Sequence, residues 1–579
     1  MVLRIVLVST SLILVLFGNA AWAQNIGTTK VGEPPDHAED TSHSAAQYAA
    51  ARHGHVKSPT TAQHIAVFGF HIEGVGHHPD AGITPARIQE FANSLYKKLG
   101  GTAEKPANLS FKQLQGVANA ITTRYRKAGF IVATAFLPAQ TIGKNRIVTI
   151  RVLEGHIGKV NVEGGKNYYS WILAASIDHL KGEALQKNSL ESALLYDRNM
   201  PGVSVAGTLV PGAKIGQTNV LLIAHDAPRS YHFSVGVNNY GTDLTGLYRV
   251  LVGATWDNPL GIGDRLVARL DYGLDPSQSL YGSLLYSVPI VRVSGLYALL
   301  GATRSTLQIN NGPFSDLHIS GPTSSYYGGA NWKFVNQEDL KMNTSLQFID
   351  EQAKIVSLGI PLSDEQFDVL DLGFGLDQID RRFRGIDMLN LNLRQSVGGH
   401  SLQPDLISPN HANIFTVGQL SFTRLQFLPD SQRIYFKLFG QYTRNILPPL
   451  EQFSIGGPGS VRAYPIDSAL TDSGFYTSLR YRVAAPGFRK IKSPFFGERW
   501  GSILDFDTFV QYARGYYSAG AQLGNTKTVS FTGVGAGLIF HLTRFHDFEV
   551  RLNYAVPIGF RSTSLKNDYQ IYSALSMQF

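Results

Sequence analysis

The chain has 579 residues, a formal net charge of +8 and no cysteine. That length predicts two or three folded units, and the missing thiols exclude a disulfide scaffold, a thiolate metal site and a cysteine nucleophile. Charged residues are only 16% and aromatics 11%, with 58 glycines, 26 tyrosines and 32 phenylalanines, a balance that suits a β-rich protein with aromatic girdles better than a helical enzyme.

Residues 1–23 read as a secretory signal peptide. Arg4 supplies the basic start, Ile5 to Phe17 the apolar run and Ala21-Trp22-Ala23 an A-x-A cleavage site. Beyond it no apolar stretch of about 18 residues occurs, so no spanning helix is expected. An exported chain of this kind can occupy a membrane only as a closed barrel. The positive charge reads as scattered lumen and loop charge, since no Lys/Arg run is dense enough for a nucleic-acid partner. Residues 24–64 form a polar lead in which Ala38 to Arg52 is either one capped helix or a disordered linker. Eight of the 17 histidines precede residue 79; His53, His55, His77 and His78 read as solvated side chains rather than metal ligands.

Two α+β units follow, over residues 65–155 and 156–227. In the first, a strand near Ile65 to Ile72 precedes a helix over Pro85 to Leu99. A second helix starts at Ser110, where Gln113 completes a capping box, and its apolar stripe is Leu114, Val117, Ala118, Ile121 and Tyr125. Gly129 ends it, and strands are expected at Ile131 to Leu137 and Arg146 to Leu153. The order then recurs, with a strand at Val160 to Val162, a helix over Ser170 to Leu180, and a second helix capped by Asn188 with Glu191. Strands at Val203 to Leu209 and Thr218 to Ala224 close the unit. Neither unit groups residues as a catalytic site does; an exposed strand edge or helix–strand groove suits them to hold an extended peptide.

Residues 228–579 are strand after strand. Leu266, Ala268, Leu270 and Tyr272 alternate with Val267, Arg269 and Asp271; Phe548, Val550, Leu552 and Tyr554 alternate with Glu549, Arg551 and Asn553. Alternation alone also fits a soluble sandwich, but a barrel explains why about 350 residues carry no helical period. At roughly 20 to 24 residues per strand with its turn, the segment predicts a transmembrane antiparallel β-barrel of about 16 strands, wide enough for water or an extended chain. The last strand places Tyr569, Ile571, Leu575, Met577 and the terminal Phe579 on one face, and Gln570, Tyr572, Ala574, Ser576 and Gln578 on the other. That is the pattern of a closing barrel strand.

Ile455 to Pro465 reads IGGPGSVRAYP. It is rich in turn residues and lacks the spacing of a phosphate-binding loop. Val461-Arg462-Ala463-Tyr464 follows the glycines, and the expected arrangement is a long hairpin folded into the lumen, with Arg462 at its tip. A buried arginine needs a carboxylate, and Asp505 and Asp507 share one face of a later strand, so either could pair with Arg462.

From these residues the chain resembles the two-partner secretion transporters, outer-membrane relatives of the barrel-assembly insertases. Val461-Arg462-Ala463-Tyr464 is similar to that superfamily's Val-Arg-Gly-Phe/Tyr loop, with Ala463 for glycine. Phe506-Asp507 is similar to its inward aspartate motif, with Phe509 where glycine is usual. Tyr125-Arg126-Lys127-Ala128-Gly129-Phe130, Leu137-Pro138-Ala139-Gln140 and Leu153-Glu154-Gly155 resemble the family's first POTRA domain. Gly263-Asp264-Arg265 and Tyr286-Ser287-Val288-Pro289 resemble early barrel strands. The resemblance implies two periplasmic POTRA domains that capture an unfolded haemagglutinin- or haemolysin-like exoprotein, export through the barrel without nucleotide hydrolysis, and a plug helix for which residues 38–52 are the candidate. It implies no cofactor and no nucleic-acid partner. Two other readings are a barrel-assembly factor, which would carry more POTRA units, and a barrel enzyme, for which no Ser/His/Asp grouping or Ser-centred elbow is present.

Overall fold

The computed structural model describes residues 64–242, 246–274, 279–291, 293–309, 316–402, 412–518, 527–559 and 568–579. The signal peptide, the 38–52 helix, and His53 and His55 lie outside them.

The first unit runs β1 (His64–Val67), β2 (Gly69–Glu73), α1 (Pro85–Lys98), β3 (Ala107–Ser110), α2 (Phe111–Lys127), β4 (Thr134–Phe136) and β5 (Ile147–Leu153). Ser110 caps α2 with the reciprocal Gln113 bonds. The apolar stripe Leu114, Val117, Ala118, Ile121 and Tyr125 is buried against the sheet. The strand expected from Ile131 shrinks to three residues, because a turn closes from Ala133 N to the Phe130 carbonyl at 3.2 Å. Two of the residues that carried the family resemblance, Tyr125 and Glu154, meet. The Glu154 carboxylate accepts from the Tyr125 hydroxyl at 2.9 Å and from Gly76 N at 2.7 Å, and lies 2.9 Å from His78 Nε2. Gln140 is docked along β5, exchanging two 2.8 Å bonds with the backbone of Thr149.

The second unit runs β6 (His156–Gly164), α3 (Ser170–Asp178), α4 (Lys187–Arg198), β7 (Val203–Pro211) and β8 (Gln217–Asp226). Asn188 does not cap α4. It lies inside the first turn, and the N-cap is Gln186, which makes no side-chain bond there. In both units a helix pair covers one face of a three-stranded sheet, ordered β2-β5-β4 and β6-β8-β7. The units are joined by Lys187 N to the Gly129 carbonyl at 2.8 Å and Leu185 N to the Gly155 carbonyl at 2.9 Å. The second unit is also bound to the barrel rim, through Asn258 Nδ2 to the Asn167 carbonyl at 2.8 Å, Tyr169 N to the Gly261 carbonyl at 3.1 Å, and the Tyr196 hydroxyl to the Lys333 carbonyl.

Asp197 on α4 is fully buried; Ser176 donates to one carboxyl oxygen at 2.5 Å and the other has no partner. Burial pushes this carboxyl up to about 8, opposed by the Ser176 hydrogen bond. A raised folded pKa means that the folded unit holds the proton more tightly than the unfolded chain, whose aspartates titrate near ~3.9. The stability of the unit therefore falls as pH rises through that window, by at most about 1.4 kcal/mol per pH unit. In detergent-solubilised protein, the helical circular-dichroism melt should move down between pH 5 and 8 in the parent. Asp197→Asn should flatten that dependence, and an equal shift in both proteins would refute the assignment.

The barrel has sixteen antiparallel strands and closes on itself. They are β9 (Tyr231–Asn238), β10 (Arg249–Asp257), β11 (Arg265–Gly273), β12 (Ser279–Pro289), β13 (Leu296–Ile309), β14 (Thr323–Asn336), β15 (Leu340–Ser357) and β16 (Ile360–Asp380). The second half is β17 (Gly385–Leu402), β18 (Thr416–Leu428), β19 (Gln432–Tyr442), β20 (Ser473–Ala484), β21 (Leu504–Tyr516), β22 (Thr528–Leu542), β23 (Phe548–Pro557) and β24 (Gln570–Gln578). The alternation read from sequence decides which side chains face out: Val235, Val252, Trp256, Leu270, Leu552 and Tyr554 are exposed on the apolar face. The barrel closes by β24 on β9, from Ala574↔Asn238 to Gln578↔Ser234. Phe579 extends the seam through its backbone, exchanging bonds of 2.8 and 3.1 Å with Phe233.

Candidate functional site

Between β19 and β20 the chain does not turn directly. Residues 443–472 fold into the lumen as a hairpin whose stem pairs Phe453–Ile455 with Ala469–Thr471. At the end of this stem Gly456 has φ +115°, and a Cβ there would stand 2.1 Å from the Pro465 carbonyl oxygen. The tip is closed by Gly457 N to the Tyr464 carbonyl at 2.9 Å and Tyr464 N to the Val461 carbonyl at 3.1 Å.

The tip rests on the wall made by β20 to β24. Val461, Ala463 and Tyr464 are completely buried. The Tyr464 ring stands edge-on to Phe531 at 4.6 Å, and its carbonyl accepts from the Tyr572 hydroxyl at 3.0 Å. Opposite Ala463 lies Gly533, whose added Cβ would come within 2.6 Å of the Ala463 methyl. Where the family signature has glycine in the loop, this chain carries alanine in the loop and the room in the wall.

Arg462 is 8% exposed. Its backbone N–H donates to Gln511 Oε1 at 3.0 Å, and its guanidinium lies over the Phe509 ring, 4.6 Å from the centroid. Gln511 in turn donates to the Tyr476 hydroxyl at 2.8 Å. The guanidinium Nη1 has no hydrogen-bond partner among the described residues.

The expected contact between Arg462 and an aspartate is not formed. Asp507 is taken by Arg480 at 3.3 Å and Arg482 at 3.9 Å, and Asp505 lies 3.9 Å from Arg482. The cause is strand register. Arg482 sits directly across from Asp507 and Ala484 from Asp505, so inward side chains of neighbouring strands meet before the loop can reach either carboxylate. Arg462 turns instead to the aromatic face beside them. Phe509 fills the position where the family has glycine, and Gly535 accommodates it from the next strand, since a Cβ there would strike the ring at 2.4 Å. The alternation Arg480-Tyr481-Arg482 on β20 was the signal that two cations face inward.

Asp271 on β11 lies 3.3 Å from Arg249 on β10. A second buried ionic group involves no residue of the loop and aspartate motifs. Arg394 on β17 reaches Glu351 on β15, Asp371 on β16 and Glu451 in the root of the lumen loop.

A sixteen-strand barrel carrying two POTRA-like units and a loop folded into its lumen defines a POTRA-bearing outer-membrane barrel. The family model described as haemolysin secretion/activation protein ShlB/FhaC/HecB matches residues 216–495, and a POTRA domain of the ShlB type matches residues 84–155. The heme/hemopexin transporter protein HuxB of Haemophilus influenzae (strain 86-028NP) is 26% identical over 521 residues, 87% of this chain and 86% of that protein. The hemolysin transporter protein ShlB of Serratia marcescens is 23% identical over 437 residues, 72% of each. The structure of CdiB from Escherichia coli superposes with a TM-score of 0.68 at 17% identity, over 91% of this chain and 93% of that one, and agrees in fold. The chain belongs to the haemolysin secretion/activation family of two-partner secretion transporters, with its barrel in the outer membrane and its POTRA units in the periplasm.

Proposed function

We propose that the two POTRA units take hold of a haemagglutinin- or haemolysin-like exoprotein as an unfolded chain, and that it crosses the lipid-embedded barrel without nucleotide hydrolysis. The observation that carries this reading is an open sheet edge in the second periplasmic unit. Among the described residues β7, nine residues long, pairs on one side alone, with β8, and Ser204, Ala206 and Thr208 are exposed along it. A strand edge of this kind recognises backbone rather than a folded surface, which suits an extended client of varied sequence. Folding outside the cell withdraws the exported chain from the equilibrium, so no hydrolytic step is required.

The lumen loop occupies the space an extended chain would use, and it must yield during passage. Its tip motif, Val461 to Tyr464, and the wall side chains of Phe509, Gln511, Phe531 and Tyr572 on which it rests are the parts of the device that hold it in place.

The client can be identified by mass spectrometry of culture supernatant from cells with and without the gene. One large secreted protein should disappear while outer-membrane barrels stay constant; general depletion of barrels would instead make the protein an assembly factor. Vesicles holding the purified transporter should then take up that denatured exoprotein into a protease-protected form with no nucleotide present. A requirement for ATP, or equal uptake of the folded exoprotein, would overturn the reading.

A further inference from the structure

The lumen loop touches two separate stretches of the wall. Its tip lies on β20 to β24, while its root, residues 447–451, lies on β13 to β18. Leu447 is buried among Ile349, Phe367, Val369, Phe415 and Val417, and Leu450 packs against the cluster of Leu307, Ile309 and Ile355. Glu451 follows Leu450 directly in the chain and is buried.

Arg394 holds Glu451 with a two-pronged bond, Nε to Oε2 at 3.0 Å and Nη2 to Oε1 at 2.6 Å. The same guanidinium binds Glu351 through Nη2 at 2.9 Å and Asp371 through Nη1 at 3.1 Å. Its side chain is 1% exposed and that of Glu451 4%. The backbone carbonyl of Glu451 also accepts from Gln441 Nε2 at 2.7 Å. Asp371 is further oriented by Asn392 at 2.9 Å. Two of the three carboxylates belong to the wall and remain with Arg394 whatever the loop does; the third belongs to the loop.

We propose that Arg394 is a positioning residue for transport: it latches the root of the lumen loop through Glu451, so that the loop is a crossbar pinned independently at each end. This rests on the reading that the loop must yield to a passing chain. The geometry suits a latch that reopens. When Glu451 leaves, the guanidinium keeps Glu351 and Asp371, so neither side of the broken contact strands a cation alone in the wall. At the tip, by contrast, the loop itself carries the buried cation.

The chain contains no cysteine, so single thiols report loop position cleanly. Leu450→Cys marks the root and Val461→Cys the tip, each labelled with a membrane-impermeant maleimide in the full-length protein in vesicles. Adding Glu451→Gln should speed root labelling at least ten-fold and leave tip labelling unchanged. Arg394→Ala should do the same, with Arg394→Lys intermediate, because ammonium keeps the charge but not the two-pronged geometry. Single-channel conductance should rise in the order parent, Arg394→Lys, Glu451→Gln. Glu451→Gln leaves the wall ion pairs intact, so it answers the question even where Arg394→Ala fails to insert. Root labelling at the parent rate in Glu451→Gln overturns the latch, as does simultaneous exposure of root and tip. Neither measurement involves an exoprotein, so such a failure is distinct from a failure of the export reading.

Discussion

Arg462→Ala is expected to abolish secretion of the exoprotein while the barrel still inserts and keeps its heat-modifiable mobility on gels. The barrel does not depend on this side chain, because every strand ladder closes without it. The loop tip does. Truncation removes the guanidinium from the Phe509 ring, a contact worth about 2 kcal/mol when desolvated, and leaves a cavity under a tip that is otherwise buried. The tip then samples undocked positions inside the pore, where it obstructs the path it is meant to clear. The partner of Arg462 is separable from the aspartates. Arg462→Ala and Phe509→Leu should not add, since they remove one interaction, whereas Arg462→Ala and Asp505→Asn should combine nearly additively. Normal secretion by Arg462→Ala would sink the proposal for the tip. Full additivity with Phe509→Leu would return the guanidinium to a carboxylate partner.

The second large effect is expected from the wall rather than the loop. Gly533→Val puts a Cβ 2.6 Å from the Ala463 methyl and 3.0 Å from Val461 Cγ1. Overpacking of this kind costs typically about 1–3 kcal/mol, and either the strand or the loop must move. Gly533 is held in register between Gln511 on β21 and Pro557 on β23, so the loop tip is the part that leaves. Conductance in planar bilayers should rise several-fold, cells should become sensitive to large antibiotics that the outer membrane excludes, and secretion should fall. Adding Ala463→Gly removes the opposing methyl and should restore much of the closed state. Unchanged conductance in Gly533→Val would show that the wall bends instead.

Two of the most informative readings of the chain were local in origin. The Ser110/Gln113 box and the stripe from Leu114 to Tyr125 concern residues within a few turns of one another, and α2 forms where they place it. The alternation in β11, β23 and β24 obeys the two-residue period of an extended chain, which holds whatever the partner strand is. Local signals failed where a neighbour in space intervened. Asn188 and Glu191 look like a cap, yet the helix begins one residue before Asn188. The strand expected from Ile131 is consumed by the turn after Phe130.

The site divides in the same way. That an arginine-tipped, glycine-rich loop enters a barrel with inward carboxylates is legible in Ile455 to Pro465 and in the spacing of Asp505 and Asp507. Which charge meets which is not. Arg482 faces Asp507 because β20 and β21 are hydrogen-bonded in one particular register. Glu451 finds Arg394, 57 residues earlier, because the loop's path across the lumen ends on that wall. Composition and periodicity therefore decided that this is an outer-membrane barrel with two α+β units and an inward loop, since backbone geometry enforces those patterns residue by residue. The ion pairs, the aromatic seat of Arg462 and the glycine opposite Ala463 were decided only in the folded barrel, because contacts between segments remote in sequence depend on register and loop path, which leave no local period.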